Sequence, residues 1–473
     1  MSPDEFRRHA HQLVDWMADY MASVEQHPVR AQTSPGAVAA QLPSAAPEAG
    51  ESFEAIFKDF QKIVMPGMTH WQHPSFFAYF PANSSPPSVL AEMLTATLAA
   101  QCMLWQTSPA ATEMEVVVLG WLRQLLGLPE GWSGVIQDSA SSATLCAVLT
   151  ARERATGWRI NADGPAAGPP VVFYASSNAH SSIDKAIRIA GVGINHLRKL
   201  PVDAAGAMVP AALQAAIEAD RAAGKIPAGV IACLGSTGTG AVDDLVSIGA
   251  ICREQDLYLH VDAAWAGSAL LLEEQRWMID GIEAVDSFVL NPHKWMLTNF
   301  DCSTHYVRDP EPLVRTLSIL PAYLQSRETG SVIDFRDWGI PLGRRFRALK
   351  LWFVLRSYGA EAIREIIREH IAMTEELACT IRDAPEFELV DGPRLALLNF
   401  RYVPDGVTDA EELDALNSQL VERINDSGRL YLTGSRIGAI KTIRFSVGQR
   451  STTRRHVTEG WAAVVEIAST LRS

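Results

Sequence analysis

The 473-residue sequence is poor in cysteine, and its few cysteines form no C-x-x-C pair. They are Cys102, Cys146, Cys233, Cys252, Cys302 and Cys379. Such scattered positions argue against a disulfide framework and a zinc motif, predict no metal site, and favour reduced thiols in the cytoplasm. The sequence also lacks an apolar run near the ~20 residues that cross a bilayer, and its first residues mix both charges without a long apolar core. We therefore expect neither a membrane segment nor a signal peptide.

Positive charge is scarce as well. The 41 lysines and arginines are outnumbered by 54 acidic residues, which gives a formal net charge of −13. A nucleic-acid-binding protein presents a basic stripe, so we expect no nucleic-acid partner. The composition, 48% hydrophobic and 20% charged, is that of an ordinary enzyme rather than of a disordered or fibrous chain.

The pattern along the chain predicts three regions. An amphipathic helix comes first, with Phe6, Val14 and Met21 on one stripe, and a connection rich in Pro, Ala and Ser follows from Pro28 to Gly50. Because this connection is long, we expect the helix to pack on a second subunit. The predicted regions are an N-terminal helical segment and linker (1–85), a large α/β domain (86–340) and a small C-terminal α+β domain (341–473).

Short apolar strands separated by helical patterns predict a mainly parallel sheet in the large domain. The predicted strands of that sheet are Val171–Ser176, Val230–Gly235, Leu257–Asp262 and Ser287–Asn291. The small domain is predicted to contain strands at 395–403 and 441–448 and a final helix within 452–473.

Reactive side chains follow the strands of this sheet, where ligands of open parallel sheets bind. His180 follows the first strand, a Gly/Thr loop the second, Asp262 ends the third, and Lys294 follows the fourth. Upstream, DSASS places small residues and hydroxyls at a helix start, which is a natural phosphate site. Each signal alone is ordinary, since most lysines after strands are solvated and most single histidines are structural. Together they supply an amine, an anion, a flat ring and a phosphate cradle, which a pyridine cofactor with an aldehyde requires.

A dinucleotide-binding site is the main alternative that the residues suggest. The strand VIACL, its glycine loop and the later Asp262 imitate such a site. The glycines, however, are ordered G-x-x-G-x-G instead of G-x-G-x-x-G, and this interpretation leaves Lys294 and DSASS without a role. We therefore prefer the pyridine cofactor.

The motifs resemble those of the aromatic L-amino acid decarboxylases, which are group II pyridoxal-phosphate-dependent decarboxylases. They are HPSFFAYFP, GVIQDSASSATL, NAHSS, LHVDAAWAGS, NPHKWMLTNFDCS and WGIPLGRRFRALKLWFVLR. The resemblance covers nearly the whole chain. It implies the aspartate-aminotransferase-like fold (fold type I), with an N-terminal helical swap segment. It also implies conversion of aromatic L-amino acids, of the tryptophan, 5-hydroxytryptophan, dopa, tyrosine or phenylalanine type, into arylalkylamines and CO2.

The resemblance also assigns the residues that bind pyridoxal 5'-phosphate. Lys294 is implied to hold the cofactor as a Schiff base, Asp262 to pair with the pyridine nitrogen, and His180 to stack on the ring and touch the substrate. The positions implied on the phosphate side are Ala140, Ser141, Asn291 and His293, and those lining the ring are Thr237 and Ala264.

Tyr323 matches the mobile-loop tyrosine of the family, which implies that its phenol returns a proton to the former α-carbon. The resemblance further implies a homodimer whose subunits share an aromatic substrate pocket, with Gln101 and Met103 contributed by the partner. Gly343 is the small residue that accompanies indole acceptance in plant relatives. The remaining implied pocket residues are Trp71, Tyr79, Phe80, Pro81 and Ala82, with His180 in addition.

Three other functions stay open at this point. An aromatic acetaldehyde synthase would use the same cofactor and substrate. An aminotransferase would clamp the α-carboxylate with an arginine; Arg444 is a candidate, although a strand arginine more often pairs with a surface acid. A catalytically silent paralogue should lack Lys294, Asp262 or His180, and all three are present.

Overall fold

The computed structural model describes residues 1–319 and 330–471, and its chain divides into two compact units. The larger unit comprises residues 82–371, and the smaller comprises 1–81 together with 372–473. The N-terminal segment therefore shares a unit with the C-terminal sheet. The boundary predicted at 340 lies within the larger unit.

The described residues alternate between helices and strands along most of the chain. The helices are α1 (Pro3–Ser23), α2 (Phe53–Asp59), α3 (Pro86–Leu98), α4 (Pro109–Leu126), α5 (Ala140–Ala155), α6 (Arg159–Asp163), α7 (Ser181–Ile189), α8 (Pro210–Ala222), α9 (Leu245–Glu254), α10 (Pro292–Trp295), α11 (Glu311–Leu317), α12 (Arg347–Arg382), α13 (Ala410–Asp426) and α14 (Arg454–Ser469). The strands are β1 (Ser133–Gln137), β2 (Val171–Ser176), β3 (Leu197–Leu200), β4 (Ile226–Cys233), β5 (Tyr258–Asp262), β6 (Ser287–Leu290), β7 (Ser303–Val307), β8 (Phe387–Arg394), β9 (Leu397–Tyr402), β10 (Thr433–Ile437) and β11 (Ile440–Ser446).

The larger unit is built around a sheet with the strand order β1-β7-β6-β5-β4-β2-β3 in the described part of the chain. Neighbours from β6 through β3 run parallel, whereas β7 runs antiparallel to both β6 and β1. The prediction of a mainly parallel sheet is confirmed, and all four predicted strands are present. The edge strands β1 and β3 were not predicted, and neither was β7, which lies between β1 and β6.

Helices cover the central strands, which explains why those strands are mostly apolar. Every residue of β2, β5 and β6 is buried, as expected for parallel strands covered on both faces. On one face α5 and α7 pack against β2 and β4, and Phe173, Ile183 and Ile231 belong to the resulting core. The sheet therefore holds the carboxyl ends of its strands in fixed positions.

The smaller unit contains an antiparallel sheet with the order β10-β11-β9-β8 among the described strands. One face of this sheet packs on α14, with the rings of Phe400 and Trp461 5.4 Å apart. Helix α1 belongs to the same unit, and Trp16 contacts the rings of Phe57 and Phe60 edge-on. The predicted strands at 395–403 and 441–448 are confirmed by β9 and β11.

Within residues 1–319 and 330–471, no helix combines the length and the apolarity that a bilayer crossing requires.

Candidate active site

A cavity of about 110 Å³ lies in the larger unit where β2, β4, β5 and β6 end and α5 begins. Lys294 and Asp262, predicted to bind opposite ends of one ring, both line it. The lining residues are Ser139, Ala140, Ser141, His180, Ser182, Cys233, Gly235, Ser236, Thr237, Asp262, Ala264, Trp265, Asn291 and Lys294. The structure thus brings together every predicted cofactor residue except His293.

The start of α5 forms the polar wall at one end of the cavity. Ser139 is its N-cap, with an extended backbone, and the Ser139 hydroxyl accepts a hydrogen bond from the Ser142 N–H at 3.2 Å. The N–H groups of Ala140 and Ser141, in the first turn, have no acceptor inside the helix. Together with the helix dipole, they favour an anion such as a phosphate. Ser139 was not among the predicted residues, although an N-cap serine within DSASS could have indicated it.

Asp262 supplies a buried carboxylate at the end of β5, where the residue is only 8% exposed. Its Oδ1 accepts a hydrogen bond from the Ala264 N–H at 3.1 Å, and its backbone carbonyl accepts one from the Leu234 N–H at 2.9 Å. A carboxylate with so little water around it favours a cationic partner. A protonated pyridine nitrogen is such a partner.

Lys294 reaches the cavity from α10, a short helix that directly follows β6. Pro292 occupies the first helical position, where its missing N–H has no cost. The Lys294 N–H donates to the Asn291 carbonyl at 2.9 Å, and the Asn83 side-chain amide donates to the Lys294 carbonyl. The Asn291 Oδ1 accepts from the Ser303 hydroxyl at 2.5 Å. The backbone that carries the amine is therefore held on both sides.

His293 is buried beside Lys294 but does not line the cavity. Its Nδ1 accepts a hydrogen bond from the Cys302 N–H at 3.0 Å. Burial lowers the pKa of His293 to about 3, so the ring is neutral. This geometry shows His293 supporting the strand–helix turn; a role toward phosphate stays a prediction.

His180 is exposed and caps α7, so its ring stands at the edge of the cavity. Its Nδ1 accepts from the Ser182 N–H at 3.1 Å and lies 2.8 Å from the Ser182 hydroxyl. The proton of the neutral ring therefore lies on Nε2. Desolvation lowers the pKa of His180; the charge of Asp262 opposes this and that of Lys294 adds to it. Near neutral pH His180 is an uncharged ring with one N–H to donate.

Trp265 closes one side of the cavity and was not among the predicted site residues. Its Nε1–H donates to the Gly235 carbonyl at 2.7 Å, and the indole is buried. Gly235 has a φ of +79°, and a Cβ there would lie 2.4 Å from the Ala266 Cβ. Only glycine fits this turn, which lets the indole seal the wall.

The predicted substrate residues are distributed over both units. Trp71 stacks on Phe76 with a 4.5 Å ring separation, and the Tyr79 hydroxyl lies 3.2 Å from that of Tyr431. Tyr431 extends this aromatic cluster, and nothing in its local sequence indicated it. The predicted residues in the smaller unit are Trp71, Tyr79, Phe80 and Pro81, and those in the larger unit are Ala82, Gln101, Met103, His180 and Gly343.

Gln101 and Gly343 are neighbours in the larger unit. The Gln101 Oε1 accepts a hydrogen bond from the Arg344 N–H at 2.7 Å, and a Cβ on Gly343 would lie 3.0 Å from the Gln101 Nε2. The Met103 carbonyl accepts from the Arg336 N–H at 3.0 Å. The substrate role of these residues stays a prediction, and Tyr323 lies outside the described residues.

Arg444 lies on β11 in the smaller unit and is only 4% exposed. Burial lowers its pKa to about 10. Its Nε and Nη2 have no hydrogen-bond partner in the described part of the chain. The expected pairing with a surface acid is therefore wrong, because the sheet buries this side chain.

The donor set of the cavity fits pyridoxal phosphate. An amine, a buried carboxylate and a row of N–H and hydroxyl groups surround one space, as a pyridine aldehyde with a phosphate requires. The amine of Lys294 and the carboxylate of Asp262 line the same cavity, so one ring can lie between them.

Comparison with known proteins gives a consistent result. Residues 35–403 match the pyridoxal-dependent decarboxylase conserved domain. The whole chain is 41% identical to phenylacetaldehyde synthase of Arabidopsis thaliana and 40% identical to the aromatic-L-amino-acid decarboxylase of Sus scrofa, covering 97% and 98% of those proteins. The crystal structure of Oryza sativa TDC with PLP and tryptamine matches 100% of this chain and 99% of its own, with 35% identity and a TM-score of 0.96.

Proposed function

The chain belongs to the pyridoxal-dependent decarboxylase family, and from this premise we propose that it converts aromatic L-amino acids into the corresponding arylalkylamines and CO2. The observation that carries the proposal is that Lys294, Asp262 and His180 share one cavity with the start of α5. A silent paralogue would lack part of this set. The substrates include amino acids of the tryptophan, 5-hydroxytryptophan, dopa, tyrosine or phenylalanine type.

Pyridoxal phosphate, when bound, supplies a protonated ring that accepts the electron pair left behind by the departing CO2. Asp262 keeps the proton on the ring nitrogen, because a buried carboxylate favours a cation beside it. The Lys294 amine would hold the cofactor through its aldehyde group. Ala140 and Ser141 bind the phosphate through the first turn of α5.

His180 and Tyr323 act on the substrate in this proposal. The neutral His180 would offer its Nε2–H to the substrate carboxylate, and its flat ring would stack on the cofactor ring. The Tyr323 hydroxyl delivers a proton to the former α-carbon after CO2 leaves, which completes the amine. Without that proton transfer, oxidation by molecular oxygen and hydrolysis would give an aldehyde, ammonia and hydrogen peroxide in place of the amine.

The working form is a homodimer in which the N-terminal segment packs on the partner. Helix α3 supports this proposal, because Leu90, Leu94 and Leu98 form a stripe at i, i+4 and i+8 with exposed fractions of 53%, 47% and 63%. On α1, Phe6 and Val14 are also exposed. Gln101 and Met103 then complete the substrate pocket of the other subunit.

We further propose that the protein works in the cytoplasm. All six cysteines are free thiols, and five of them are buried. Reduced, buried thiols are typical of a reducing compartment.

The test is a panel of tryptophan, 5-hydroxytryptophan, dopa, tyrosine and phenylalanine, with CO2 and the organic product measured separately. We expect equal amounts of amine and CO2. An aldehyde with ammonia would favour the second candidate, an aromatic acetaldehyde synthase. The 41% identity to phenylacetaldehyde synthase supports this candidate. A keto acid without CO2 would indicate an aminotransferase and refute decarboxylation.

A variant links the chemistry to the cavity. Lys294→Ala should lose the visible absorbance of the bound cofactor and show no measurable CO2 release, because its amine is gone. Lys225→Ala is the control, since Lys225 pairs with Asp220 at 2.9 Å and precedes β4, whose other end lines the cavity. Full activity of Lys294→Ala would contradict the assignment.

A further inference from the structure

His260 is a buried histidine that lies outside the cavity and that the proposed chemistry does not use. It is on β5, two residues before Asp262, and only 1% exposed. Because side chains alternate along a strand, His260 and Asp262 project from the same face. The His260 Nε2 lies 3.3 Å from the Thr144 hydroxyl on α5, and its Nδ1 lies 2.7 Å from the Ser287 hydroxyl on β6.

The three elements joined by this imidazole carry three different parts of the cofactor site. Helix α5 begins with Ala140 at the phosphate end, β5 ends in Asp262, and β6 leads into the turn that presents Lys294. A single ring thus connects the elements whose relative positions set the length and width of the cavity.

The ring chemistry suits this connection. Burial, with a smaller effect from His305, lowers the pKa of His260 well below its ordinary value, so the ring is neutral. A neutral imidazole has one donor and one acceptor on opposite sides of a rigid plane, and a hydroxyl can serve either. Both hydroxyls of Thr144 and Ser287 are therefore satisfied whichever nitrogen carries the proton.

We propose that His260 is a positioning residue for the cofactor: its hydrogen bonds to Thr144 and Ser287 fix the phosphate-binding start of α5 relative to Asp262 and Lys294. The inference rests on the proposed function, because it takes pyridoxal phosphate as the group that spans the cavity. A cofactor held at both ends tolerates little change in the separation of its anchors. Removing the link should therefore weaken cofactor binding without removing any group that touches the cofactor.

The experiment compares His260→Phe with His305→Phe. His305, on β7, is also fully buried, and its ring centre is 5.9 Å from that of His260. Neither of its nitrogens has a hydrogen-bond partner in the described part of the chain, which makes it a matched control. Apoprotein is titrated with pyridoxal phosphate alone, and half-saturation is read from the visible absorbance. We expect His260→Phe to raise the half-saturating concentration about tenfold or more, as the loss of its two buried hydrogen bonds implies. His305→Phe should change that concentration less than about twofold, since no hydrogen bond is lost.

Two further variants separate positioning from packing. Thr144→Val keeps the side-chain shape but deletes the hydroxyl, so it should weaken binding in the same direction and add little to His260→Phe in the double variant. If His260→Phe does not fold, Thr144→Val tests the inference in its place. His260→Gln, which retains a donor and an acceptor, should restore most of the affinity and the visible circular dichroism of the bound cofactor.

The outcomes distinguish this inference from the proposed function. If wild type binds pyridoxal phosphate but releases no CO2, the proposed function fails while the affinity comparison still tests His260. The inference is overturned if His260→Phe and Thr144→Val bind the cofactor as wild type does. It is equally overturned if His305→Phe loses as much affinity as His260→Phe.

Discussion

The ion pair between Arg344 and Glu115 is enclosed in the larger unit and holds the segment that contains Gln101. The Nη2 and Oε1 atoms are 2.7 Å apart, and the side chains are 6% and 3% exposed. The same Oε1 accepts from the Ile136 N–H at 2.8 Å, while Arg344 donates to the carbonyls of Ile136 at 3.0 Å and Cys102 at 3.3 Å. Protein groups, not water, thus satisfy both charges.

Arg344→Met should destabilise the unit by about 3–5 kcal/mol, because it leaves the Glu115 carboxylate buried and unpaired. The double variant Arg344→Met/Glu115→Leu should lose much less than the sum of its single changes, since no charge remains in the interior. An exposed ion pair serves as the control for this loss of stability. Arg429 and Glu466 are 2.8 Å apart but 47% and 66% exposed. Breaking that pair should cost about 0–1 kcal/mol.

The assay is unfolding in urea, followed by circular dichroism. Because large proteins often unfold irreversibly, unfolding rates are measured beside the equilibrium midpoint. Arg344→Met should also raise KM for aromatic substrates, because loss of the ion pair releases the backbone at position 344, whose N–H binds the predicted pocket residue Gln101. The reasoning is refuted if Arg344→Met loses no more stability than the surface control, or if the double variant loses the sum of its single changes.

Three further predictions concern single positions. Tyr323→Phe should bind cofactor normally but shift the product from amine towards aldehyde in mass spectrometry; unchanged amine output would show that another group supplies the proton. Burial lowers the pKa of His305 from 6.5 to about 4. As the pH falls from 6.5 to 4, the unfolded chain therefore binds a proton at His305 that the native state does not bind, and the native state loses stability. His305→Phe should therefore reduce the loss of unfolding free energy across that window by up to about 3 kcal/mol, and equal pH dependence in urea titrations would contradict this. Gly343→Ser adds atoms beside Gln101 and should lower kcat/KM for tryptophan relative to tyrosine about tenfold; an unchanged ratio would remove Gly343 from the substrate pocket.

Local patterns were sufficient to predict the central elements. The runs at 171–176 and 287–290 are apolar because both of their faces are covered, and that burial is visible in the sequence itself. The same logic fails at β7, whose residues STHYV are mixed in polarity although all are buried. The neighbouring strands β1 and β6 bury β7, and nothing in the local sequence of β7 indicates that it has these two neighbours.

The sequence by itself determined the chemistry of this protein. The amine of Lys294, the carboxylate of Asp262 and the small residues at the start of α5 each follow a strand or begin a helix, so their placement at one edge of the sheet depends only on local structure and a parallel topology. Their residue types then restrict the cofactor to an aldehyde with a ring nitrogen and a phosphate.

Only the tertiary structure decided which side chains support that chemistry. Trp265 seals the cavity because it reaches Gly235, 30 positions earlier, and His260 joins Thr144 to Ser287 across three elements. Arg444 is buried because the fold covers its strand. Hydrogen bonding and burial between distant segments depend on packing in three dimensions, and a pattern read along one segment contains no information about it.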